Sequence, residues 1–221
     1  MKFLLLFTLT SFLVTFTLYS CKKDKGLENI NKEPAKMASM VYAGVHDSSF
    51  YYNNFQTAVQ IATTYDAQNI YASGSDSIDL DSNGTYDLFI SLRLMNEDSI
   101  HLLPILLYQF PHCSLKTSNE FQLSFEDVYY PIGLGMNGIL SFVNKIDYNT
   151  LISSTMDWQN EGLLWQQSPS TSGNPPKGPW YIPETSYFYI GIRKNGNNYG
   201  WIEVDASDPR DPKFLAVALK M

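Results

Sequence analysis

The stretch YFYIGIRKNGNNYGWIEVDA, Tyr187–Ala206, decides the fold class. Two runs rich in aromatic and β-branched residues flank a polar centre that carries Asn195-Gly196. Asn and Gly accept the positive φ that the primed turns of β-hairpins require. The spacing predicts two paired strands, Tyr187–Arg193 and Tyr199–Ala206. Side chains alternate between the two faces of a strand. Phe188, Ile190 and Ile192 therefore share one face, and Tyr187, Tyr189 and Arg193 the other. Across the turn, Trp201 alternates with Ile202 and Val204.

The same period recurs along the chain. Thr85–Leu94 puts Tyr86, Leu88, Ile90, Leu92 and Leu94 on one side. Phe121–Phe125 is short and alternating, and Phe214–Leu219 is a final strand. Gln56–Ala62 reads as a strand or a short helix. Ser99–Phe110 is apolar on both faces but contains Pro104, which marks a break, a bulge or an edge. Trp158–Gln167 fits strand or loop, and Ile139–Leu151 is the one segment that tolerates a helix. Turn residues punctuate these runs at Asn83-Gly84, Asn195-Gly196 and Gly173–Pro179. The expectation is an all-β fold, an antiparallel β-sandwich of jelly-roll-like type, as a single domain over residues 37–221.

What precedes that domain has a different character. Lys2 is followed by an uncharged apolar run, Phe3–Leu18, then Ser20 and Cys21. This is the shape of a secretory signal. Leu18-Tyr19-Ser20-Cys21 resembles a bacterial lipobox, and the resemblance implies acylation of Cys21 as the first mature residue. An ordinary signal peptide or an uncleaved anchor is the alternative, although the run is short for a spanning helix of ~20 residues. The expected organisation is a signal peptide at 1–20, a polar flexible tether at 21–36, and the β-domain. Two or three acyl chains, which the resemblance implies, anchor a protein stably where one would not. Lys22 after the cysteine makes the outer membrane the expected site, with the domain facing either the periplasm or the outside.

The formal net charge of −7 argues against nucleic acid as a partner. With Cys21 acylated, Cys113 is the one remaining cysteine, which excludes a disulfide-built fold and reads as a buried small apolar residue.

A second stretch, DLDSNGTYDLF, Asp79–Phe89, carries the functional question. Asp79, Asp81 and Asn83 offer side-chain oxygens at alternate positions, Gly84 permits a sharp turn, Thr85 offers a backbone carbonyl, and Asp87 closes the loop. Hard cations such as Ca²⁺ take six to eight oxygen ligands. No His or Cys stands nearby, so zinc is not expected. At ~4 Å and an effective ε of ~20, each like-charge contact among the carboxylates costs about 4 kcal/mol before screening. The alternative is a plain hairpin, SIDLDS and TYDLFISL joined at Asn83-Gly84, with Asx turns and no metal.

The loop is not an EF-hand, because Ile90 stands where that motif has its bidentate Glu. It resembles the D-x-D-x-N-G-x-x-D loops of FG-GAP-type repeats, which implies a structural Ca²⁺ held by Asp79, Asp81, Asn83, Thr85 and Asp87. Together with Tyr189-Ile190-Gly191-Ile192-Arg193 and Tyr199-Gly200-Trp201-Ile202, it is similar to a family of secreted and surface proteins in Bacteroidota and other environmental bacteria. That resemblance implies an extracellular β-domain and no activity. Many such proteins carry a C-terminal sorting domain, whose place a lipid anchor would take here.

Catalytic motifs are not found. His46, His101 and His112 have no ligand spacing, no G-x-S-x-G is present, and Gly133-Leu134-Gly135 lacks the third Gly of a dinucleotide loop. Glu120, Glu126, Glu161, Glu184 and Glu203 leave a glycosidase pair open, since such pairs are set by distance in space. Tyr51-Tyr52, Tyr129-Tyr130, Trp180-Tyr181 and Tyr187/Tyr189 either fill the core or form a glycan-stacking platform. The expectation is a lipid-anchored envelope protein with a calcium-stabilised, non-catalytic domain, structural or ligand-binding. A glycan-binding module of a polysaccharide-uptake system is the alternative, and a glycoside hydrolase a more distant one. The expected partners are the membrane and an extracellular glycan or envelope protein.

Overall fold

A computed structural model describes residues 40–65, 71–95, 112–133, 136–166, 178–181, 187–208 and 210–221. The signal peptide, the whole 21–36 tether with Cys21, the Ser99–Phe110 segment, His101 and Glu184 lie outside the described residues. Among those described, regular structure is strand, apart from one 3-10 turn at Pro179–Tyr181. The strands are β1 (Val41–Tyr42), β2 (Phe50–Gln60), β3 (Thr64–Tyr65), β4 (Tyr71–Ile78), β5 (Leu88–Met95), β6 (His112–Thr117), β7 (Phe121–Gly133), β8 (Met136–Val143), β9 (Leu151–Ile152), β10 (Asp157–Gln159), β11 (Glu161–Gln166), β12 (Tyr187–Lys194), β13 (Asn198–Asp205) and β14 (Lys213–Lys220).

The fold is all-β, as expected. One sheet runs β2-β14-β13-β12-β7-β8-β11-β6-β5-β4-β3, with β10 added on β7. Every pairing in it is antiparallel except β8 with β11. β1 and β9 form a separate two-stranded ladder. The sheet curls until its two ends, β2 and β3, come together. There Gly74 of β4 meets the link after β2: a Cβ at Gly74 would lie 2.2 Å from the Ala62 carbonyl oxygen. Only a residue without a side chain lets the seam come this close.

The two halves of this nearly closed sheet face each other as the layers of a sandwich. Leu80, Leu88, Ile90, Leu92 and Leu115 from one half meet Phe121, Leu123, Ile190, Ile192, Ile202, Val204 and Phe214 from the other in one core. Burying each such side chain contributes about 1.5–3 kcal/mol. A smaller cluster covers the outer face of β12–β14, where Val41, Ala43, Ile146 and Ile152 lie on Tyr189, Trp201, Ala216 and Ala218. The central strands are therefore buried on both faces.

The alternation of Leu88, Ile90 and Leu92 is realised as a buried row. Tyr86 does not join it: it is 60% exposed, because β5 begins only at Leu88. The segment Ile139–Leu151 is not a helix. β8 carries the chain to Val143, and Ile146 then bridges to Tyr189 of β12, exchanging two backbone bonds of 2.9 Å. Cross-strand partners satisfy the backbone there, so tertiary pairing overrides a weak local preference. Gln56–Ala62 belongs to the longer strand β2 and not to a helix, and Trp158–Gln167 supplies β10 and β11.

The diagnostic hairpin forms as read. Asn195 and Gly196 have φ of 49° and 78°, and the Asn197 amide donates to the Lys194 carbonyl at 3.3 Å. Two successive positive φ values make this a type I′ turn.

Candidate metal centre

β4 and β5 pair up to Ile78 and Leu88, leaving residues 79–87 as their connection. Leu80 is fully buried in the core and pins the loop from below. Around it the side chains bind their own backbone. Asp79 Oδ1 accepts from the amides of Asp81 at 3.3 Å and Asn83 at 3.2 Å, and its Oδ2 from Gly84 at 2.7 Å. Asp81 Oδ1 accepts from the Asn83 amide at 3.1 Å, and Asn83 Oδ1 from the Thr85 amide at 2.7 Å. These overlapping Asx turns wind the chain into a coil. The positive φ values fall on Ser82 (57°) and Gly84 (86°), not on an Asn83-Gly84 pair. The loop is thus longer than a two-residue turn, and its Asx turns are those that the metal-free reading also expects.

Asp87 closes the coil. Its carboxyl accepts from the Leu80 amide at 3.1 Å and the Ser118 hydroxyl at 3.2 Å. Its backbone carbonyl accepts from the Ser118 amide at 2.8 Å, which ties the loop to the β6–β7 turn. Asp87 is only 2% exposed. Burial pushes its carboxyl above the ordinary 3.8; the Leu80 amide opposes this, and the charges of Asp81 and Asp79 add to it.

One carboxylate oxygen from each of Asp79, Asp81 and Asp87 lies within 4.8 Å of the others, a triad able to hold a metal ion. Asn83 and Thr85 lie in the same coil but are exposed. The set is all oxygen, which suits a hard cation and not zinc.

Sequence reasoning missed Lys194. From the end of β12 its ammonium pairs with Asp81 and lies 3.5 Å from Glu120. The bond to Asp81 raises its pKa against the effect of burial. The acidic loop and the Tyr187–Ala206 hairpin thus meet through one ion pair. Its position beside the Asn195 turn was visible in the sequence, but its acidic partner stands far away in the chain. Tyr51 of β2 adds a further contact by bonding its hydroxyl to Ser82.

The other expected sites separate. Glu120 pairs with Lys194 and Glu161 with Lys116. Tyr51 packs on the core, and Trp180 and Tyr189 are buried, while Tyr52, Tyr129 and Tyr187 are exposed. Trp165, Trp180 and Trp201 are buried and Trp158 is half-buried, so no exposed tryptophan forms a platform. Cys113 is fully buried, and burial pushes its thiol far up, so it is inert. No family model, curated protein or solved structure matches the chain.

A pH test follows from Asp87. A carboxyl whose folded pKa is raised favours folding below its unfolded value, and that contribution is lost as pH rises through the folded value. In calcium-free buffer, Asp87→Asn should therefore gain stability over the wild type as pH climbs from about 4 to 7. Denaturant titrations across this range check it; parallel curves for the two proteins would refute it.

Proposed function

We propose that the chain is a lipid-anchored protein of the bacterial cell envelope whose β-domain binds a structural Ca²⁺ in the 79–87 loop. The observation that carries the metal reading is the convergence of Asp79, Asp81 and Asp87, with Asp87 buried. A buried carboxylate beside two others is costly unless a cation neutralises the group. Asp79, Asp81 and Asp87 would hold the ion, with Asn83 and the Thr85 carbonyl as further oxygens. The ion would brace the β4–β5 connection, which Asp87 ties to the β6–β7 turn through Ser118. Lys194 competes for Asp81, which favours an affinity in the range of extracellular modules, about 10⁻⁴–10⁻³ M. The domain's role in this reading is structural or ligand-binding, without catalysis.

Terbium tests the centre, because Tb³⁺ takes the place of Ca²⁺ and is sensitised by nearby tyrosines such as Tyr51 and Tyr86. Tyrosine-excited terbium emission should appear with the wild type, fall on adding Ca²⁺, and be lost in Asp79→Ala. Emission that survives in the variant would count against this loop. The anchor is tested separately. Cys21→Ala should abolish incorporation of labelled palmitate and leave unprocessed precursor, whereas unchanged labelling would rule out Cys21.

A further inference from the structure

The two ends of the sheet touch at Gly74 and Ala62, and beside this contact they leave a cleft of about 500 Å³ that shares no residue with the acidic loop. Three parts of the chain wall it. Residues 60–63 come from the end of β2 and its link to β3, Leu92 and Leu94 from β5, and Arg210 and Asp211 from the connection before β14. The cleft is therefore a product of the curled sheet and not of one local segment.

Its walls are layered by polarity. Ile61 and Leu92 belong to the main core, and Leu94, half-buried, packs against it. Leu92 stands opposite Gly74, and cross-strand partners share a face. A Cβ at Gly74 would lie 2.9 Å from Ile61 Cγ2, so the missing side chain lets Ile61 come in beside Leu92 as a common apolar floor. Polar groups stand round it. Gln60, Thr63 and Arg210 are exposed and Asp211 is half-buried. The Asp211 carboxyl accepts from the Gln60 side-chain amide, which ties the connection before β14 to the end of β2. The Arg210 amide donates to Asp208 Oδ1 at 2.9 Å and the Asp211 amide to the Asp208 carbonyl at 3.0 Å, so a hydrogen-bonded turn holds this side of the rim.

Small-molecule sites are concave, roughly 300–1,000 Å³ in volume and mostly apolar, with a few polar groups that fix orientation. The cleft has this size and this arrangement. Its rim carries one positive and one negative side chain, so a charged head gains from one and is opposed by the other. A neutral head meets donors and acceptors on Gln60, Thr63 and Asp211. A hard metal finds a single carboxylate, far short of six to eight oxygen ligands. No aromatic ring is among the described lining residues, so a bare sugar has no face on which to stack.

We propose that this cleft binds a neutral amphiphile, an alkyl body with a hydroxyl-bearing head. The body lies on Ile61, Leu92 and Leu94, and the head bonds to Gln60, Thr63 and Asp211 at the rim. Removal of the alkyl chain from water drives binding, and the rim sets its direction.

Titration of the full chain, with isotope-labelled Ile and Leu methyl groups, against octyl glucoside below its micelle concentration tests it by nuclear magnetic resonance. The methyl resonances of Ile61, Leu92 and Leu94 should shift saturably, with a dissociation constant of about millimolar order. Those of Ile152, in the separate cluster on the outer face, should stay in place. Glucose should cause no saturable shift. Octanoate and octylammonium, which carry the same chain under a charged head, should bind at least about threefold more weakly. Leu94→Trp fills the cleft from a half-buried wall and should weaken binding at least about tenfold. Ala62→Phe fills it from an exposed position and should do the same, so the test stands even if the Leu94 variant fails to fold. The proposal is overturned if the three methyl groups do not shift saturably, if Ile152 shifts as much as they do, or if both variants bind like the wild type. It is equally overturned if glucose or either charged probe binds as tightly as octyl glucoside.

Discussion

Phe214→Ala should lower the melting temperature by roughly 6–20 °C. Phe214 lies on β14 with no exposed surface, in the core shared by both halves of the sheet. Its backbone pairs with Val204 on one side and Val59 on the other, so the strand cannot shift to fill the space. Truncating a buried Phe costs about 3–5 kcal/mol where the site cannot collapse. In a domain of this size each kcal/mol moves the midpoint by roughly 2–4 °C. Differential scanning calorimetry checks it, and a shift of a degree or less would show that the sheet does not enclose a single tight core at β14.

The second large effect is that of calcium. An ion that binds the folded loop and scarcely the unfolded chain stabilises by mass action, by about 2.7 kcal/mol at a hundredfold excess over its dissociation constant. The midpoint should then rise by roughly 5–10 °C. Asp81→Ala should erase most of this response and also free Lys194 from its principal partner. Lys194→Met should act oppositely on affinity. Removing a cation beside the site lifts its repulsion of Ca²⁺, tightening binding at least about fivefold. It should also destabilise the calcium-free protein, in which the ammonium is the nearest counter-charge to Asp81. A stepwise chelator series on the three proteins gives all of these values, and identical curves would refute the metal reading.

Much of the fold is legible in local pattern. The period of two in Leu88, Ile90 and Leu92, and in Phe188, Ile190 and Ile192, predicts strands that present these residues to one core. Asn195-Gly196 predicts its turn because few other residues accept two positive φ values. The acidic triad is legible for a similar reason, since the spacing of Asp79, Asp81 and Asp87 implies convergence once the loop winds round Gly84.

What is not legible depends on residues far apart in the chain. Alternation assigns Tyr189 and Trp201 to the second face but does not say whether water or protein covers it. The cover comes from the segments around Val41 and Ile146, whose own patterns are weak. The Ile139–Leu151 region was open to a helix because its cross-strand partners cannot be read locally. Where Lys194 and Glu203 stand is set only by sheet register, which brings Lys194 to Asp81 and sets Glu203 opposite Tyr189.

The most direct measurement is equilibrium dialysis of the wild type and Asp79→Ala against radioactive calcium. Asp79 holds the coil through three backbone amides and contributes one corner of the triad. The account predicts one Ca²⁺ bound per wild-type chain, with a dissociation constant of about 10⁻⁴–10⁻³ M, and none bound by the variant at the same free concentration. A wild-type chain that binds no calcium at several times ~1 mM, or a variant that binds it undiminished, would contradict the account.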